Sequence, residues 1–113
     1  MQSLPVKRKP DPDLDTASAA LHALARSLAA LARAEDVRAF LQDLCTPAEL
    51  EAMADRWRVV PLLLKGVPYR EIHELTQVSV TTIGRVARTL ETGTGGYAIA
   101  ARSQKTRTTT ASH

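Results

Sequence analysis

The chain has 113 residues, 44% of them hydrophobic and 24% charged, which is enough for one small domain and too few for two. Its single cysteine, Cys45, excludes an intrachain disulfide; with only His22, His73 and His113 scattered along the chain there is no metal-ligand spacing, and no cofactor is expected. The net charge of +3 is unevenly placed: nine Lys/Arg face nine acids through Val67, but six face three from Pro68 onward. An excess confined to one region points to an anionic partner there.

No long uncharged apolar run and no apolar leader core are present, so no membrane partner is expected and the cytoplasm is the default compartment. Residues 1–13 carry Lys7-Arg8-Lys9 and three prolines and read as a disordered basic arm. Asp15 or Thr16 then caps an alanine-rich helix running to about Arg33. Leu21, Leu24, Leu28 and Leu31 fall at three- and four-residue steps and give it a strongly apolar face. A second helix spans Asp36 to Leu44, with Val37, Phe40, Leu41 and Leu44 inward. Cys45 beside it reads as packing.

Thr46-Pro47-Ala48-Glu49 is a sharp helix start. Thr46 is the cap, Pro47 occupies a position where its missing N–H costs nothing, and Glu49 closes a capping box. The third helix runs to about Lys65 and stops at Gly66, with Leu50, Met53, Trp57, Val60 and Leu64 as its buried stripe. Pro61 lies inside that pattern and is expected to kink the helix or end it early.

The stretch from Tyr69 to Arg88 has the form of a helix-turn-helix. Ile72 and Leu75 give a short helix an inward face, Gln77-Val78 makes a turn, and the Ser79 hydroxyl can cap the next helix. Ile83, Val86, Ala87 and Leu90 recur at helical spacing as that helix's inner face. The outer face keeps Thr81, Thr82, Arg85 and Arg88. Small hydroxyls at the N-terminus followed by arginines suit a helix laid in a DNA major groove. Thr92-Gly93-Thr94-Gly95-Gly96 ends the motif. Tyr97 to about Ser103 can add one short helix, and the Ser/Thr-rich basic remainder reads as disordered. Nothing alternates like a strand. The expectation is all-α, with a helical DNA-binding domain over 14–97, a helix-turn-helix over about 69–91, and a mostly disordered basic tail over 98–113.

From Leu44 to Tyr97 the chain resembles the Trp repressor superfamily, in particular its YerC/YecD-like branch. The residues that carry this are Leu44, Thr46-Pro47 with Glu49, Arg56 and Arg58-Val59-Val60, Leu63-Leu64-Lys65-Gly66, Tyr69-Arg70-Glu71-Ile72, Val78-Ser79, Thr82-Ile83, Arg85, and the Gly95-Gly96-Tyr97 ending. The resemblance implies an intertwined homodimer whose N-terminal helices interlock. A small chain with so large a leucine face is compatible with that, since it gains core by dimerising. It also implies that Arg56 and Arg85 match the two arginines that flank tryptophan in the Trp repressor. A guanidinium pair suits a carboxylate and an aromatic ring. The glycine that follows the second arginine there is Val86 here, where the family makes room for the indole.

The leading expectation is therefore a homodimeric, sequence-specific regulator of transcription that binds double-stranded DNA through Arg70, Ser79, Thr81, Thr82, Arg85 and Arg88 and does not need tryptophan. Alternatives are a repressor dependent on tryptophan or another small ligand held by Arg56 and Arg85, its effector unknown, and a helical adaptor that binds protein. An adaptor would expose apolar residues on the outer face of 79–90, whereas this chain offers Thr, Thr, Arg, Arg. Glu71, His73 and Glu74 lie on one short solvated helix with no cleft and no nucleophile, so no catalytic residue and no enzyme activity are expected.

Overall fold

The computed structural model describes residues 13–111, with side chains described over 16–104. Within these limits six helices and no strand follow one another: α1 (Asp13–Ala30), α2 (Ala34–Leu44), α3 (Pro47–Leu64), α4 (Tyr69–Thr76), α5 (Val80–Thr92) and α6 (Gly96–Ala111). The fold class is all-α, as the sequence indicates. The expected basic arm lies outside the described residues except for Asp13, which opens α1. The chain divides into two compact units, Met1–Leu44 and Cys45–His113.

In the first unit α1 stops at Ala30, three residues short of the expected end. The reason is a phase change in the apolar pattern. Continuing the leucine steps from Leu31 would place Glu35, Arg38 and Gln42 on the apolar face; breaking the helix re-aims Val37, Phe40, Leu41 and Leu44. The Arg33 carbonyl starts α2 by accepting from the N–H groups of Asp36 (3.0 Å) and Val37 (3.1 Å). The Arg33 guanidinium pairs with Glu35 and holds that exposed carboxyl below its ordinary value. Among the described side chains of this unit none is buried. Leu24, Leu28, Leu31, Val37, Phe40 and Leu41 are half-buried, while Leu21 and Leu44 are exposed.

In the second unit the start of α3 is the expected capping box. Thr46 Oγ1 accepts from the Glu49 N–H at 3.1 Å, and the Glu49 carboxylate accepts from the Thr46 N–H at 2.7 Å. Its end is closed by two crossed bonds: Gly66 N–H to the Leu63 carbonyl and Val67 N–H to the Leu62 carbonyl, both 3.0 Å. This closure needs a left-handed residue, and Gly66 supplies it at φ 82°. Pro61 does not end the helix early; α3 runs on to Leu64. Pro61 sits in the last turn and is exposed, where little helix remains to be disrupted.

α3 packs against α4, α5 and α6, and α4 packs against α5. The core where they meet is Val59, Val60, Ile72, Val78, Ile83 and Val86, with Leu62, Leu63, Val67, Leu90 and Tyr97 half-buried around it. Each fully buried aliphatic here contributes about 1.5–3 kcal/mol. Two expectations about this core need correcting. Of the expected α3 stripe only Val60 is buried, and Met53, Trp57 and Leu64 are exposed, because the covering helices meet α3 around Val59–Leu63. Leu75 is exposed rather than inward, so Ile72 anchors α4 alone.

The C-terminal end also differs from expectation. α6 spans sixteen residues to Ala111, across a stretch expected to be a short helix ending near Ser103 and then mostly disordered. After Gly96 the sequence holds no glycine or proline, and Ala98, Ala100, Ala101, Arg102, Gln104, Lys105 and Arg107 all favour helix. Propensity outweighs the tail's polar composition.

Candidate nucleic-acid interface

Residues 77–79 join α4 to α5, and nearly every polar group around them is paired. Gln77 adopts the left-handed conformation at φ 65°, and its N–H donates to the His73 carbonyl at 2.8 Å. Its side-chain amide returns to the Glu74 carbonyl at 3.1 Å. Thr76 Oγ1 donates to the Ile72 carbonyl at 2.7 Å and accepts from the Val78 N–H at 3.1 Å. His73 Nδ1 lies 2.7 Å from the Val78 carbonyl, so its ring is committed to the turn. From α3, Arg58 Nη1 donates to the Thr76 carbonyl at 3.4 Å while its Nε faces Asp55 at 3.8 Å. With Val78 buried beneath, the turn fixes the angle between the two helices.

The Ser79 side chain caps α5 as expected, accepting from the Thr82 N–H at 3.1 Å. Its own hydroxyl donates to Thr82 Oγ1 at 3.1 Å. Ile83 and Val86 turn inward to full burial. The opposite face is one shallow groove of about 390 Å³ lined by Val80, Thr81, Gly84, Arg85 and Arg88. The steps 80, 84, 88 and 81, 85 place these five residues together on one side of the helix. No acid lines it, and neither guanidinium has an ion pair among the described residues.

Three expected contact residues, Thr81, Arg85 and Arg88, therefore share one surface. Arg70 stands apart as the second residue of α4, exposed, at a helix start that has no side-chain cap. Ser79 and Thr82 are engaged with each other at the start of α5, and Thr82 is half-buried and outside the groove. Sequence reasoning passed over Val80, Gly84 and Tyr69. Val80 is 52% exposed and forms a wall of the groove. The Tyr69 ring stands beside Gly84, its Cε2 3.9 Å from where a Cβ on that glycine would lie. The two four-residue steps from Val80 through Gly84 to Arg88 are the sequence signal that marks this line.

Arg56 and Arg85 are both exposed, but the groove that contains Arg85 does not include Arg56. Asp55, the neighbour of Arg56 in sequence, faces Arg58 at 3.8 Å. Val86 is 1% exposed and belongs to the core with Val59 and Val60 of α3. Among the described residues no group of three or more His, Cys, Asp or Glu is placed to hold a metal, and no helix is long and apolar enough to cross a membrane.

Comparison with known proteins gives a consistent result. A family model described as Trp repressor protein matches residues 19–105. The uncharacterized protein YerC of Bacillus subtilis (strain 168) is 36% identical over 80 residues, which is 71% of this chain and 77% of that protein. The crystal structure of a Staphylococcus aureus protein described as a candidate Trp repressor superposes with a TM-score of 0.74 at 27% identity, covering 84% of this chain and 96% of the other.

Proposed function

Because the chain belongs to the Trp repressor family, on the branch of the YerC relative, we propose that it is a sequence-specific, DNA-binding regulator of transcription that acts as a homodimer without tryptophan. The observation that carries this reading is the outward face of α5, where Thr81, Arg85 and Arg88 line one acid-free groove on a helix held rigidly by its turn. Thr81 and Arg85 reach base edges in the major groove. Arg88 and Arg70 meet phosphates, Arg70 with the uncapped N–H groups at the start of α4 beside it. Ser79 and Thr82 set the start of the reading helix, and the free proton of the Thr82 hydroxyl is available to the same backbone.

The homodimer is supported by the first unit. Its described side chains include eight large apolar residues and no buried one, so it lacks a core of its own. In the second unit, Met53, Trp57 and Leu64 of α3 are exposed apolar residues as well. Independence from tryptophan is supported by Val86, whose side chain is buried in the core with Val59 and Val60 at the position where the family's glycine leaves room.

Selection of bound fragments from genomic DNA, with and without amino acids, tests the proposal. A recurrent pseudo-palindrome whose enrichment is unaffected by tryptophan is expected. Failure to enrich any sequence would remove the DNA-binding reading.

A further inference from the structure

Gly84 has no structural reason to be glycine. It lies in the middle of α5 and is not among the residues with positive φ, so its backbone suits any amino acid. A Cβ added there would meet only Tyr69 Cε2, at 3.9 Å, an ordinary contact. Glycine inside a helix is destabilising relative to alanine. The fold therefore carries a cost at this position that neither conformation nor internal packing requires.

Its surroundings suggest what does. Gly84 lies between Val80 and Arg88 along the outward face, in the groove shared with Thr81 and Arg85. The missing side chain leaves a notch. One wall is apolar, because Val80 is 52% exposed. The other side is cationic, with two guanidinium groups and no lining acid. The ligand that fits must combine a small apolar group with a polar edge and a surrounding negative charge. In the DNA major groove the one apolar group displayed is the thymine 5-methyl, beside acceptors and flanked by phosphates.

We propose that Gly84 is a close-approach position on the reading helix, seating the 5-methyl of one operator thymine against Val80 while Arg85 and Arg88 engage the neighbouring base edge and backbone. Gly84 is then a specificity determinant for one A·T pair in each half-site. The inference rests on the DNA-binding reading above and refines it.

The test uses the full-length protein and the operator recovered by selection. Each thymine of a half-site is replaced in turn by deoxyuridine, which removes only the methyl group. Wild type and Gly84→Ala are compared, with Gly84→Ser as a graded second variant. Gly84→Ala should melt a few degrees higher and lose about tenfold or more in operator affinity, with a smaller loss on random-sequence DNA. One deoxyuridine position should weaken wild type and should not weaken Gly84→Ala, where it removes the methyl that the added Cβ opposes. Operator affinity in Gly84→Ala equal to wild type, or a thymine sensitivity that both proteins share, would overturn the proposal while leaving the regulator intact. A wild-type protein that selects no operator overturns the DNA-binding reading and this refinement with it. That outcome is read before any variant is made.

Discussion

The imidazole Nδ1 of His73 lies 2.7 Å from the carbonyl oxygen of Val78, tying the body of α4 to the residue just before the cap of α5. The bond crosses the turn at a half-buried place, so the two helices of the motif are braced by a side chain as well as by Thr76. His73→Ala should lower unfolding free energy by about 1 kcal/mol. For a domain of this size that is a loss of roughly 4–8 °C in midpoint, readable by thermal circular dichroism. An unchanged midpoint would show that the turn does not depend on this ring.

Arg85→Ala should weaken operator binding by about 1–3 kcal/mol and relax preference at one position of the site. Arg70→Ala and Arg88→Ala should instead weaken all sequences alike and reduce the salt slope by about one each. Binding titrations on the operator and on random DNA at several salt concentrations separate the two behaviours. Site preference untouched by Arg85→Ala would mean that another element reads the bases.

Sedimentation at micromolar concentration should give about twice the 12.3 kDa chain mass. Two-fold symmetry then sets the reading helices about 34 Å apart, one turn of DNA, and makes the operator pseudo-palindromic. A monomer in the centrifuge would remove both expectations together.

Lys7, Arg8 and Lys9 at one end and Arg102, Lys105 and Arg107 at the other add cations outside the reading head. Each phosphate they neutralise steepens the log–log salt dependence by roughly 0.9. Removing residues 1–12 and 102–113 should flatten that slope and leave the preferred sequence as it is. An unaltered slope would place both ends off the DNA.

Calorimetric titration with tryptophan should be silent, and operator affinity should not respond to it. Forcing a ring into the packed space around Val86 costs about 1–3 kcal/mol. Saturable binding at micromolar tryptophan with tighter operator binding would restore a corepressor. Val86→Gly does not cleanly reopen a pocket: Val86 is 1% exposed, so its removal leaves a core cavity and a mid-helix glycine. Together these cost about 2–4 kcal/mol.

The starts of α3 and α5 were legible from the sequence, because Thr46, Glu49 and Ser79 declare themselves by local hydrogen bonding; α1 and α2 begin two residues or more before the expected positions. Ile72, Ile83 and Val86 were legible as core by spacing. Leu75, Met53, Trp57 and Leu64 were not, because periodicity reports that a residue is apolar on one face and says nothing of what covers that face. Pro61 misled because the cost of a proline depends on how much helix follows it, and here only three residues do. At the site, Thr81, Arg85 and Arg88 could be placed by step, but Thr82 sits elsewhere because its hydroxyl is drawn to Ser79. Gly84 and Val80 carry no charge or donor. Their interest appears only when the empty space around them is seen.

The first unit, with no buried side chain among those described, bears on how the regulator is made as well as on how it binds. In the proposed homodimer, residues through Leu44 complete a core only when a second chain arrives. Folding of that unit is then a second-order event, and the functional species rises with the square of the chain concentration until dimers saturate. A cell holding few copies would carry a disproportionately small active pool, so a modest change in synthesis becomes a sharper change in occupancy of the operator, before any effector is involved.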